Sequence, residues 1–177
     1  MIFGILISIL NIASVYYATK NDKMTWIIGL FPAIITTILF AIDGLWLSAI
    51  FNFYSFIICI LGIIYWKNSA KENSEDIIGI NDKSIMHMLY VLLGFVFLYL
   101  INLIFNFNIY DVFGTYISVI ATYLLYKKYV IAWIYWIFND VLYILMGICT
   151  DNPEYIVIYF VLMIMAMRGL FKNLNKF

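Results

Sequence analysis

Trp133-Ile134-Tyr135-Trp136-Ile137-Phe138-Asn139-Asp140 sets one carboxylate and two indoles inside an apolar run over residues 129–149. A run of that length reads as a membrane-spanning helix. At 100° per residue, Trp133, Trp136, Asp140 and Tyr143 fall within about 80° of one another on one helix face. An ionised side chain at the bilayer centre costs roughly 2.5–3.5 kcal/mol. Asp140 is therefore expected to face protein, not lipid. Aromatic planes beside one acidic acceptor suit a flat, polar or cationic small molecule.

The rest of the chain has the same character. Its 177 residues are 66% hydrophobic and 11% charged, with a mean hydropathy of +1.02. A soluble domain of this length needs a far more polar surface. The composition predicts an all-α integral membrane protein with no room for a soluble catalytic domain. Apolar runs of about 17–23 residues lie at 1–19, 25–42, 45–66, 85–106, 110–126, 129–149 and 154–171, long enough for seven transmembrane helices. A tight turn around Asp43-Gly44 separates the second and third. Residues 1–66 thus form a first three-helix unit and 67–84 a hydrophilic linker. Residues 85–106 form a connecting span, and 110–177 a second three-helix unit. The start, Met1-Ile2-Phe3, lacks a basic region and a cleavage site, so no removable signal peptide is expected. Cys59 and Cys149 fall within spans and read as small buried hydrophobes, not as a disulfide.

Charge fixes an orientation. All ten Lys and Arg residues fall on one side of the seven-span arrangement: Lys20, Lys23, Lys67, Lys71, Lys83, Lys127, Lys128, Arg168, Lys172 and Lys176. The other side carries Asp43, Asp111, Asp151 and Glu154. The positive-inside rule then predicts an outside N-terminus and a cytoplasmic C-terminus, in the cell membrane.

Sliding the sequence by 107 residues aligns Tyr16 with Tyr123, Lys20 with Lys127, Trp26 with Trp133, Phe53 with Phe160, Ile57 with Ile164 and Gly62 with Gly169. Spans one to three would repeat as five to seven, with span four restoring the direction. Such parallel repeats are related by an axis along the membrane normal, and a site is expected at their interface. This 3+1+3 plan resembles the SWEET architecture, without a Pro-Gln pair. Asp111, Thr115, Ser118 and Thr122 form a polar stripe on span five, and Ser8 and Asn11 lie on the matching face of span one. Ser48, Asn52 and Ser55 line span three, and the matching positions on span seven include Tyr155 and Tyr159. Gly29, Ala33 and Thr36 occupy the positions matching Trp136, Asp140 and Tyr143. One half supplies bulk and the other small residues, as a pocket for an unsymmetrical solute would. The competing explanation for each Ser or Thr is a helix–helix hydrogen bond worth about 0.6 kcal/mol.

These residues resemble the PnuC family of vitamin and nucleoside transporters. Trp133 and Trp136 followed by Asp140 carry the strongest match. Asp111, Thr115, Ser118, Leu124 and Lys127 look like its fifth helix, and Gly44, Gly62 and Trp66 look like its third. Tyr159, ten residues before Gly169, stands where members commonly have Tyr. The resemblance implies a SWEET-like seven-helix carrier that takes up nicotinamide riboside or a related vitamin by facilitated diffusion. It also implies a cytosolic kinase that phosphorylates and traps the solute. Asn52 and Thr122 stand where Gln is frequent, and Asn173 where a closing Trp is common, so thiamine and riboflavin carriers of the same family stay open.

The expected site comprises Trp133, Trp136, Asn139, Asp140, Tyr143, Asn52, Tyr159, Thr122 and Ser118. The ring-binding indoles would stack a planar base, with Asn139, Asp140, Asn52 and Tyr159 orienting its polar groups. Pro32 and Gly147 are candidate flex points. No catalytic residue, metal, cofactor or nucleic-acid partner is expected. His87 is the one histidine and lies at an interface, and Asp140 alone makes no acid/base pair. A seven-helix receptor is the other rival class. Its resemblance rests on Asn152-Pro153-Glu154-Tyr155, which reads better as the start of a helix. The partners are a small-molecule solute and the lipid bilayer. The sequence does not fix whether the chain forms a homo-oligomer.

Overall fold

The computed structural model describes residues 2–42, 46–71, 94, 96, 99 and 109–175. The Asp43-Gly44 turn, His87, Lys83, Lys176 and nearly all of the connecting span at 85–106 lie outside the described residues. So do the side chains of Ser48, Asp111 and Tyr155. Six helices are seen: α1 Ile2–Ala18, α2 Met24–Ile42, α3 Trp46–Lys71, α4 Ile109–Tyr126, α5 Ala132–Cys149 and α6 Pro153–Leu174. α3 runs five residues beyond the apolar span that ends at 66, because Lys67-Asn68-Ser69-Ala70-Lys71 contains no helix breaker. α5 starts three residues late, because Tyr129, Val130 and Ile131 belong to the preceding turn. α6 opens on Pro153, where the missing N–H has no intrahelical partner to lose.

Among the described residues, three segments are long and apolar enough to cross a membrane: Ala49–Asn68, Ala132–Cys149 and Ile156–Leu174. Gly4–Ala18, Met24–Leu39 and Val112–Tyr126 are shorter apolar helices. Their outer faces carry exposed Ile9, Phe31, Ile50, Phe53, Phe138, Ile148, Val157 and Phe160. Such a surface belongs in lipid. Cys59 is buried, whereas Cys149 is exposed, contrary to its expected burial, because it is the last residue of α5.

The helices pack as a ring in chain order. α1 meets α2, α2 meets α3, α3 meets α4, α4 meets α5, α5 meets α6, and α6 closes on α1. Among the described residues no helix packs across the ring. Hydrophobic clusters stud the wall: Ile117, Ala121, Leu124, Ile131, Ala132 and Tyr135; Trp26, Ile58, Cys59 and Trp66; and Ala18, Trp133 and Ala166. Leu125 packs on all three and joins the halves.

The two halves repeat local geometry at the 107-residue offset. α1 ends with Asn21 at φ +54°, and α4 ends with Lys128 at φ +63°. In the first, Asp22 N–H donates to the Tyr17 carbonyl and Asn21 N–H to that of Ala18. In the second, Tyr129 donates to Leu124 and Lys128 to Leu125. Both are Schellman caps, closed by a left-handed residue. The following turns also match, with Thr25 to Asp22 and Trp26 to Lys23 against Ala132 to Tyr129 and Trp133 to Val130. In the first turn of the second helix of each half, a buried Trp lies flat against a glycine. A Cβ on Gly169 would stand 2.7 Å from the Trp133 ring, and one on Gly62 would run into the Trp26 ring.

Candidate functional site

α5 supplies most of the candidate residues, and its outward direction is unambiguous. Phe138, Val141, Leu145 and Ile148 are exposed on one face. Trp136 projects about 160° from their mean direction. Its partial exposure therefore opens toward the ring interior. Asn139 and Asp140 flank that direction, and each is 2% exposed. Tyr143 stands two turns beyond Trp136, about 10 Å along the axis.

The polar groups have few partners. The Ser118 hydroxyl donates to Asn139 Oδ1 at 3.1 Å. No second hydrogen bond of the Asn139 side chain is seen among the described residues. Asp140 likewise has no hydrogen-bond or ion-pair partner among the described residues. Buried polar groups are almost always satisfied, and an unpaired buried carboxylate is among the most expensive. A carboxamide and a carboxylate beside an indole have the hydrogen-bonding capacity to hold a polar ligand.

The remaining candidates divide by half. Tyr143 stacks on Tyr159 with ring centroids 4.6 Å apart and planes 13° apart. Gly114 makes room for it, since a Cβ there would lie 2.8 Å from the ring. At the matching positions of the first half, the Thr36 hydroxyl lies 2.7 Å from Asn52 Oδ1 and 2.7 Å from the Pro32 carbonyl. One aromatic pair thus corresponds to one polar pair. The Thr122 hydroxyl donates to the Ser118 carbonyl at 2.6 Å, within its own helix. Trp133 is 2% exposed and wedged against Gly169 in the α5–α6 seam, next to Ala18 and Ala166. Trp136, not Trp133, is the indole with ring surface toward the interior.

Thr36 was not among the site residues expected from the sequence, nor was Asn11, which is exposed on α1. The offset of 107 residues was the available signal, because it pairs Thr36 with Tyr143 and Asn11 with Ser118.

The two halves meet at corners of different make. At the α3–α4 seam, Trp66 Nε1 donates to the Tyr126 carbonyl at 2.9 Å and the Tyr54 hydroxyl to that of Val119 at 3.1 Å. Lys128 Nζ stands 5.7 Å from the Trp66 ring. At the α1–α6 seam the matching residues are Asn21 and Asn173, and Asn21 Nδ2 donates to Asn173 Oδ1 at 2.8 Å.

Comparison with known proteins agrees with this architecture. A solved structure titled "Crystal structure of the Vitamin B3 transporter PnuC" superposes with a TM-score of 0.70 at 14% identity. The match covers 94% of this chain and 77% of that one, a likeness of fold. No curated protein matches the sequence. The family model described as Nicotinamide mononucleotide transporter matches residues 1–174. With nearly its whole length matched, this chain belongs to the nicotinamide mononucleotide transporter family.

Proposed function

We propose that this chain is a cell-membrane carrier for nicotinamide riboside or a closely related vitamin nucleoside. The observation that carries the reading is buried Asp140, with no hydrogen-bond partner among the described residues, next to Asn139 and Trp136 on the inner face of a ring that no described helix crosses. The spacing of Trp136 and Tyr143 leaves room between them for one planar ring, with Asp140 as counter-charge for a cationic heterocycle. Membership of a transporter family favours this over an enzyme or a receptor. Seven spans in a 3+1+3 plan complete the proposal. The matched caps and Trp–Gly wedges support a duplication, and the apolar run at 85–106 supplies the connecting span. The N-terminus would lie outside and the C-terminus in the cytoplasm, as the cation distribution favours. The two halves would rock about the site to alternate access. Movement down a gradient would be followed by phosphorylation by a cytosolic kinase.

Purified protein tested by thermal shift against nicotinamide riboside, thiamine, riboflavin and nucleosides should be stabilised most by the nicotinamide compound. Stabilisation by thiamine or riboflavin alone would reassign the substrate within the family. No stabilisation by any of them would remove the vitamin reading. Uptake into vesicles that persists with a protonophore present fits facilitated diffusion.

A further inference from the structure

We propose that Asn11 is a specificity-determining residue that holds the hydroxyl-bearing part of the solute, an inference that rests on the carrier reading above. Asn11 sits about 10 Å from the inner end of α1, near the middle of an apolar helix. It is exposed, yet makes no hydrogen bond among the described residues. Its direction can be fixed from its neighbours on the same helix. Ile5, Ile9 and Tyr16 are exposed and mark the lipid face. Asn11 points about 140° from their mean. Ser14 donates to the Thr25 carbonyl at 2.8 Å and so marks the α2 side. Val15 packs with Ala18, Trp133 and Ala166 and marks the α6 side. Asn11 projects between these two directions, which is toward the ring interior. A carboxamide facing hydrocarbon would lose several kcal/mol of hydration; one facing a wet interior loses none.

The repeat supplies the second observation. Asn11 matches Ser118, whose hydroxyl already contacts Asn139 on the interior face of the second half. Asn11 therefore lies at the same depth as the Asn139–Asp140 pair, but on the opposite half. With the planar ring held on α5, the remainder of a nucleoside faces α1. A carboxamide offers both a donor and an acceptor, which matches the paired hydroxyls of a pentose. The site is then divided: the second half takes the base, and Asn11 of the first half takes the sugar.

The test uses the purified full chain, with calorimetric binding of nicotinamide riboside and of free nicotinamide. Wild type must bind the riboside; if it does not, the carrier reading itself fails. Given that binding, Asn11→Ala should weaken the riboside about tenfold and leave free nicotinamide within about twofold, for one or two lost hydrogen bonds. Equal loss for both ligands, or no loss, would overturn the proposal. A second measurement does not depend on that variant folding. Asn11→Cys is placed in a Cys59→Ala, Cys149→Ala background, where Cys59→Ala reproduces the Ala166 of the other half. A membrane-impermeant thiol reagent should label it, and the riboside should slow the labelling. Absence of labelling, or labelling indifferent to the riboside, would count against it.

Discussion

One turn beyond the Trp26 wedge the first half carries Gly29, with Ser14 and Cys59 filling the space where a Cβ would go. One turn beyond the Trp133 wedge the second half carries Trp136, among clusters that contain Ala121 and Ala166. The three positions correspond pairwise at the 107-residue offset. Large and small have been exchanged, so each half keeps a filled wall. Farther along, Ala33 faces Asp140 in the correspondence, and the Thr36–Asn52 pair faces the Tyr143–Tyr159 stack. The lesson is a division of labour: caps and wedges are shared because they make the fold, while the mid-depth residues differ, as the proposed unsymmetrical solute would require.

The sharpest way to break the comparison is to remove what only the second half has. Trp136→Ala should weaken binding of the stabilising ligand about a hundredfold, equivalent to about 3 kcal/mol, and should also lower the melting temperature of the unliganded protein, because the indole packs against two clusters. Retained affinity would mean that the indole is packing alone. The shared elements should instead fail alike. Gly62→Ala and Gly169→Ala each push a Cβ into a buried indole and should each cost about 1–3 kcal/mol of stability, read by chemical or thermal denaturation. A large cost at one and none at the other would separate the wedges.

These pairs show how far the amino-acid pattern reached. Apolar length marked the helices, and the matches of Trp26 with Trp133 and of Gly62 with Gly169 marked the two wedges. Ring order was not legible, because hydropathy records which face is apolar and not which neighbour covers it. Trp133 and Trp136 share a helix face but project about 60° apart. That angle sends one into the α6 seam and the other toward the interior, and only the position of α6 decides which. Asn11 and Thr36 were hidden for a related reason, since an Asn or Thr in a span reads equally well as helix–helix glue.

Smaller effects sharpen the same contrast. Asp140→Asn preserves shape while removing the counter-charge. It should weaken a cationic ring ligand about tenfold and leave a neutral isostere nearly unaffected, measured by titration of both. At the corners, Trp66→Phe deletes the donor to the Tyr126 carbonyl and should cost about 1 kcal/mol. Asn173→Ala at the opposite corner removes the acceptor for Asn21 and should cost a similar amount in the same denaturation assay. The smallest change is at the second cap. Lys128→Asn gives the left-handed position the residue type its counterpart Asn21 already has but removes the cation from the Trp66 ring, so the two effects should offset to within a few tenths of a kcal/mol.

The ring order has an electrical side. Contacts of Trp66 with Tyr126 and of Asn21 with Asn173 bring the last turns of α1, α3, α4 and α6 to one end of the bundle, where, among the described residues, α2 and α5 begin. Each helix end carries about half an elementary charge, negative at the C-terminus. Among the described helices, four ends against two starts leave that rim with a net negative backbone charge. Lys20, Lys67, Lys127, Lys128 and Lys172 stand around it. The cations gathered at this rim are thus also the counter-ions of its peptide dipoles. Moving them to the other rim would leave the folded bundle polarised against itself.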